Sequence, residues 1–329
     1  MRVCVCQNLI EKTFNMVKAL HLNRKRKFFT NNTQLFLIAL MGVIFLAIFA
    51  YVPLFGLVIA FKDGDNNINV MQTIASGNWV GFDNFKAVFT DYSFKDVLIN
   101  TISLNLIMLL INFPAPIIFA LFLNEIKHRH YKNTIQSITI FPTFISWMSF
   151  GGIFLALLDM NTGVLNPLLI KLGIITKDTL INFGEPQYSW ALIIITSLIK
   201  GTGWGSIIYT ASISGINPEI YESAEMDGAK RFRVMFQITL PAMMPTILVY
   251  LLLSISGILG NNFEQFYVFQ NIINLSKTEV LATYSYAQGI SYKRYSFATA
   301  LGLIQSIVSL MLLLSSDKIA KRITGRGIY

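Results

Sequence analysis

Glu264 and Gln265 are well suited to holding a hydroxyl-rich molecule. An ionised Glu offers only acceptors, whereas Gln offers donors and acceptors. The pair follows a long apolar run, and the mixture fits a sugar better than an apolar solute. Phe144 and Trp147 supply flat faces on which the C–H side of a sugar ring can stack; Tyr284 and Tyr286 are further candidates. Lys200 stands inside another apolar run, where a cation must be paired or reach water; it would favour an acidic group. Each has a packing alternative: aromatic rings also build cores and interface belts, and a buried Glu can join two helices. None of this makes or breaks a bond. The sequence has no Gly-rich loop ending Gly-Lys-Ser/Thr, no Gly-x-Ser-x-Gly elbow and no His-Glu-x-x-His pattern. His128-Arg129-His130 reads as a solvated turn, and Cys4 and Cys6 as neither a disulfide scaffold nor a metal site. No catalytic, cofactor-binding or metal-binding residue is expected.

The elements that must position these side chains are membrane spans. Hydrophobic residues make up 54% of the 329-residue chain and charged residues 13%, about half the usual charge of a soluble domain. Six runs reach the roughly 20 residues that cross a bilayer. They are Gln34 to Ile59, Val97 to Leu123, Ile135 to Leu158, Tyr188 to Ile213, Ala242 to Asn261 and Ser296 to Ser315. Pro53 with Gly56, Pro114 with Pro116, and Pro142 each predict a bend. Gly201, Gly203 and Gly205 predict a hinge or a place of close helix packing. Asn100, Asn105 and Asn112 must face a packing network or a pathway wall. With both ends inside, seventeen lysines and arginines fall in the cytoplasm and eight outside. That bias places both termini and the central loop in the cytoplasm. The net charge of +9 therefore orients the chain and is not a nucleic-acid footprint.

The central loop is polar and charged between apolar neighbours. Asn217 is suited to an N-cap and Pro218 to the first helical position, with Glu219 in the first turn. Glu222, Glu225 and Ala229 share a face, while Ala224 and Gly228 are small enough for a partner to approach closely. Gly228 is placed to bend or cap the helix.

Glu222-Ser223-Ala224, Asp227-Gly228-Ala229 and Ile238-Thr239-Leu240-Pro241 together resemble the signature of ABC importer permeases that depend on a solute-binding protein. That signature starts Glu-Ala-Ala, carries Gly six residues after the Glu and closes on Leu-Pro; Ser223 departs from it with another small residue. Phe263-Glu264-Gln265, Thr283-Tyr284-Ser285-Tyr286, Gly289 and Tyr295 to Ala300 resemble the oligosaccharide and polysaccharide branch, as does Tyr51 to Lys62. The resemblance covers roughly Gln34 to Asp317.

The resemblance implies an all-α integral membrane protein with the type I ABC importer permease fold and six transmembrane helices. The expected layout is a basic cytoplasmic arm over residues 1–33, a permease domain over 34–317 and a cytoplasmic tail over 318–329. Within the domain, loop 216–241 would couple to an ATPase groove through Glu222, Ser223, Ala224, Asp227, Gly228 and Ala229. Ile238, Leu240 and Pro241 would tie it to the fifth span. The implied partners are a second homologous permease, two cytoplasmic ATPase subunits that bind ATP and Mg, and an extracellular or periplasmic binding protein. The implied setting is the bacterial cytoplasmic membrane, and the cargo an oligosaccharide, uronate-containing ones included. Import of a peptide or amino acid, a membrane scaffold or sensor, and a membrane enzyme are the competing readings.

Overall fold

The computed structural model describes residues 33–64, 70–260 and 262–324. Most of the basic arm, with Cys4, Cys6 and His21, the turn residues Asp65 to Asn67, Asn261 and the end of the tail lie outside the described residues. Among the described residues, the regular structure is helical apart from an isolated antiparallel bridge, Lys62 with Trp79. Five helices are long and apolar enough to cross a membrane: Thr33–Phe61, Phe94–Asn124, Pro186–Ser214, Arg231–Ser256 and Tyr295–Arg322. A bent pair brings the number to six if it is one span.

The chain divides into two units, residues 1–58 and 59–329. In the first unit, the leading helix loosens into a π turn over Ala47–Tyr51, closed by Val52 N–H on the Ala47 carbonyl, just before Pro53. Proline lacks an N–H and crowds the carbonyl four residues back, and a wider turn makes room for it. The same device recurs in the second unit. The π turn Met235–Thr239, closed by Leu240 N–H on the Met235 carbonyl, precedes Pro241.

The second unit holds the packed core. One apolar cluster joins Val88, Phe94 and Val97 to Leu281, Phe297 and Leu301. Another joins Ile117 and Leu121 to Tyr209, Met243 and Ile247. A third joins Leu104 and Met108 to Ile193, Phe266 and Phe269. Proline and glycine act differently in two of the spans. The second runs through Phe113 into Pro114 as one unit of 31 residues. The fourth continues unbroken through Gly201 to Gly205, so no hinge is formed there. A side chain on Gly203 would strike the Thr139 carbonyl, and one on Gly205 would come within 2.9 Å of Pro116. These two glycines are there for close approach.

The third span departs from expectation. In place of one kinked helix over 135–158, Arg129–Phe144 and Trp147–Leu158 meet at 99°. The first half tightens into a 3-10 turn, Phe141–Phe144, before an extended Ile145. The second half starts afresh on Ser146, whose Oγ accepts the Ser149 N–H at 3.2 Å. A helix that ends and restarts this way is broken, which Pro142 alone does not predict.

Candidate functional site

The central loop folds as helix Pro218–Met226. Asn217 caps it by accepting the Glu219 N–H at 3.1 Å, and its amide N–H donates to Glu219 Oε2 at 3.1 Å. Gly228, at φ +72°, closes the other end. Its N–H bonds the Glu225 carbonyl, and Ala229 N–H reaches back to the Ala224 carbonyl, each at 3.0 Å. That reciprocal pattern is a Schellman cap, and its left-handed residue suits glycine. Ala224 is buried, whereas Glu222, Ser223, Asp227 and Gly228 are exposed and Ala229 half-buried. Tyr221 Oη shares a hydrogen bond of 3.2 Å with Thr239 Oγ1, tying the helix to the π turn. Ile238 and Leu240 are half-buried beside that joint, and Pro241 is exposed. Met226, Phe232 and Phe236 add exposed apolar surface to the same segment.

A cavity of about 260 Å³ lies among the second, fourth and fifth spans. Asn105, Asn112, Ser197, Thr202, Ser254 and Asn262 give it a polar lining, and Phe113 and Tyr250 contribute rings. The three asparagines of the second span divide the work. Asn100 donates to the Ser276 carbonyl at 2.9 Å and is a packing residue. Asn105 bonds back to the Thr101 carbonyl at 2.8 Å while facing the cavity. Asn112 lines the cavity with neither its amide oxygen nor its amide nitrogen hydrogen-bonded. A buried amide without partners is costly, so this one is suited to groups that enter the cavity. Sequence reasoning singled out the asparagines but not Asn112 among them, nor Ser197, Thr202 or Ser254. Residue type alone does not reveal which helix face turns inward.

The predicted contact residues separate. Gln265 is fully buried, and its Nε2 donates to the Ile193 carbonyl at 2.6 Å. It joins helix Phe263–Phe269 to the fourth span and has no surface for a ligand. Tyr284 is likewise buried, edge-on to Phe297 at 6.1 Å. Both are packed in the core. Trp147 packs edge-on to Phe150 at 5.9 Å and is half-buried. Glu264 is exposed, and Phe144 is 75% exposed. Tyr286, 39% exposed, forms a ring cluster with Phe263 and Tyr267, centroids 5.1 to 5.5 Å apart. That cluster flanks an open groove lined by Phe263, Ser285, Tyr286 and Thr299. Lys200 is only 8% exposed and turns its ammonium to backbone carbonyls, with Trp147 at 5.0 Å. An anion-binding role for it is not supported by this placement.

Residues 98–325 match the family described as binding-protein-dependent transport system inner membrane component. Protein LplB of Bacillus subtilis (strain 168) is 38% identical over 295 residues, 90% of this chain and 91% of that one. The polygalacturonan/rhamnogalacturonan transport system permease protein YteP of the same organism is 35% identical, covering 90% of each chain. Among solved structures, a chain of a bacterial alginate ABC transporter, in complex with an alginate pentasaccharide-bound periplasmic protein, superposes with a TM-score of 0.80. It is 33% identical and covers 92% of this chain and 99% of that one. The all-α, multi-span architecture is thus that of a type I ABC importer permease, a multi-pass protein of the bacterial inner membrane that transports and is not an enzyme. The chain belongs to the family of inner-membrane permease components of binding-protein-dependent transport systems.

Proposed function

We propose that this chain is one of two homologous permease subunits of an ATP-driven importer for a uronate-containing oligosaccharide. The observation that carries the reading is the polar cavity among the spans, where Asn112 offers a donor and an acceptor that no protein group uses. A sugar hydroxyl can satisfy both. Relatives named for polygalacturonan and alginate transport support an acidic cargo.

The bent pair counts as the third of six crossings, and both termini lie in the cytoplasm. A binding protein delivers the sugar from outside. Two ATPase subunits, holding ATP and Mg, close on the segment from Glu222 to Ala229, and the Tyr221–Thr239 joint carries that motion into the fifth span. Glu222, Ser223 and Asp227 form the polar contact surface, Ala224 packs against the permease side, and Gly228 sets the turn. Phe144, Glu264 and Tyr286 are surface groups available to a passing sugar.

The test is ATP hydrolysis and vesicle uptake by the reconstituted complex, its binding protein loaded in turn with uronate-containing and neutral oligosaccharides. Uronate oligomers are expected to stimulate both. Asn112→Leu is expected to lower uptake roughly five- to tenfold, the scale of one or two lost hydrogen bonds, with basal hydrolysis retained. A folded complex that no saccharide stimulates would leave the permease architecture and remove the sugar assignment.

A further inference from the structure

We propose that Lys200 is a positioning residue that latches the broken third span to the fourth, and is not a ligand for the cargo. The proposal rests on the importer reading only for its uptake assay. A helix that stops leaves its last carbonyls unpaired, with the negative end of the helix dipole beside them. At this break Ile145 N–H returns to the Pro142 carbonyl at 3.3 Å, and the further partners come from another span. Lys200 Nζ donates to the Pro142 carbonyl at 3.1 Å, to the Thr143 carbonyl at 3.5 Å and to the Ile145 carbonyl. An ammonium has three N–H donors, and this geometry uses all three on backbone oxygens. The bond is returned: Thr143 Oγ1 donates to the Lys200 carbonyl at 2.8 Å. Trp147 and Phe150, the first rings beyond the break, lie 5.0 and 5.4 Å from the ammonium. One side chain therefore holds the end of Arg129–Phe144, the connecting residues and the start of Trp147–Leu158. Close contact of Gly203 with Thr139 one turn away extends the seam. Arg129–Phe144 follows the second span, so the latch makes the break and the fourth span move as one body during transport.

The experiment is amide hydrogen exchange over residues 141–147 in the full complex in lipid nanodiscs, comparing wild type with K200M, K200R and T143V. Uptake of a uronate trisaccharide and a neutral trisaccharide is measured alongside. Exchange is expected to be roughly tenfold faster in K200M, with a smaller rise in T143V and partial recovery in K200R. Maximal uptake should fall by the same factor for both sugars, with KM unchanged. Wild-type exchange in both K200M and T143V overturns the latch. So does a KM rise confined to the uronate probe in K200M, which would make Lys200 a cargo ligand. If K200M does not assemble, T143V decides: faster exchange supports the latch and wild-type exchange overturns it. If no sugar is taken up by wild type while K200M still exchanges faster, the sugar reading fails and the latch stands.

Discussion

Two helix ends in this protein solve the same problem in opposite ways. Helix Pro218–Met226 closes its carbonyls with its own next residues, through Gly228 and Ala229. The helix ending at Phe144 has one local closure, Ile145 N–H on the Pro142 carbonyl, and otherwise relies on a lysine that arrives from Pro186–Ser214. A local cap makes a self-contained piece that can be pushed as a unit, which suits the role of ATPase contact proposed for this segment. A borrowed cap makes two spans depend on each other, which suits the interior of a machine whose spans must move together. The location of the last hydrogen-bond donor thus distinguishes a module from a linkage.

The largest expected effect breaks the local side of this contrast. Gly228→Val forces a β-branched residue to φ +72° and should reduce sugar-stimulated ATP hydrolysis about tenfold or more. Gly228→Asn, which tolerates the left-handed region, should keep most of it. Equal loss in both variants would mean that the side chain's contact with the ATPase matters, and not the cap.

A pair of carboxylates outside the spans sharpens the contrast through pH. Asp159 takes donors from its own loop, the Asn161 and Thr162 N–H groups and the Thr162 hydroxyl, and its pKa is lowered below the usual 3.8. Glu279 has its pKa raised above the usual 4.5 by burial first, and then by Asp91 nearby. The signs are opposite. The Asp159 contribution is present above its unfolded pKa and is lost as pH falls through the lowered value. The Glu279 contribution is present below about 4.5, its unfolded value, and is lost as pH rises through the raised one. Glu279→Gln should therefore raise the melting temperature at neutral pH, with the gain vanishing toward pH 4. A gain that does not depend on pH would place the cause in packing.

The smallest effect tests a borrowed bond with no break beneath it. Gln265 also reaches into the fourth span, but Ile193 lies in mid-helix, and Gln265 Oε1 has no partner. Gln265→Met loses one donor and removes one stranded acceptor, so stability should change by less than about 1 kcal/mol in denaturation of the complex. A loss several times larger would show that borrowed bonds matter wherever they land.

Much of the fold was legible because its causes are local. The spans around Val97–Leu123, Tyr188–Ile213 and Ser296–Ser315 sit within long helices, and Ala242–Asn261 overlaps one that ends earlier, at Ser256, since bilayer length and apolar content are written in each stretch. Asn217, Pro218 and Gly228 announced their helix because caps are made by neighbours in sequence. The 99° break was not legible because its stabilising cation lies more than fifty residues away. The cavity was half legible: three asparagines marked the second span, but only the fold separates Asn100, which bonds the short helix Leu275–Thr278, from Asn112, which lines the cavity. The burial of Gln265 and Tyr284 was not legible for the same reason, since a polar group on a short helix can point either way.

Gly201 carries a consequence of its own. It lines the cavity with nothing within 4 Å of where a side chain would start, while Gly203 and Gly205 on the same helix have no such room. Only two residues apart, one glycine leaves room at the cavity and another sets the fit of its wall. Enlarging Gly201 step by step through Ala and Ser should narrow the cavity without unseating the wall, and under the proposed function this position would be a calibration screw for the girth of the cargo.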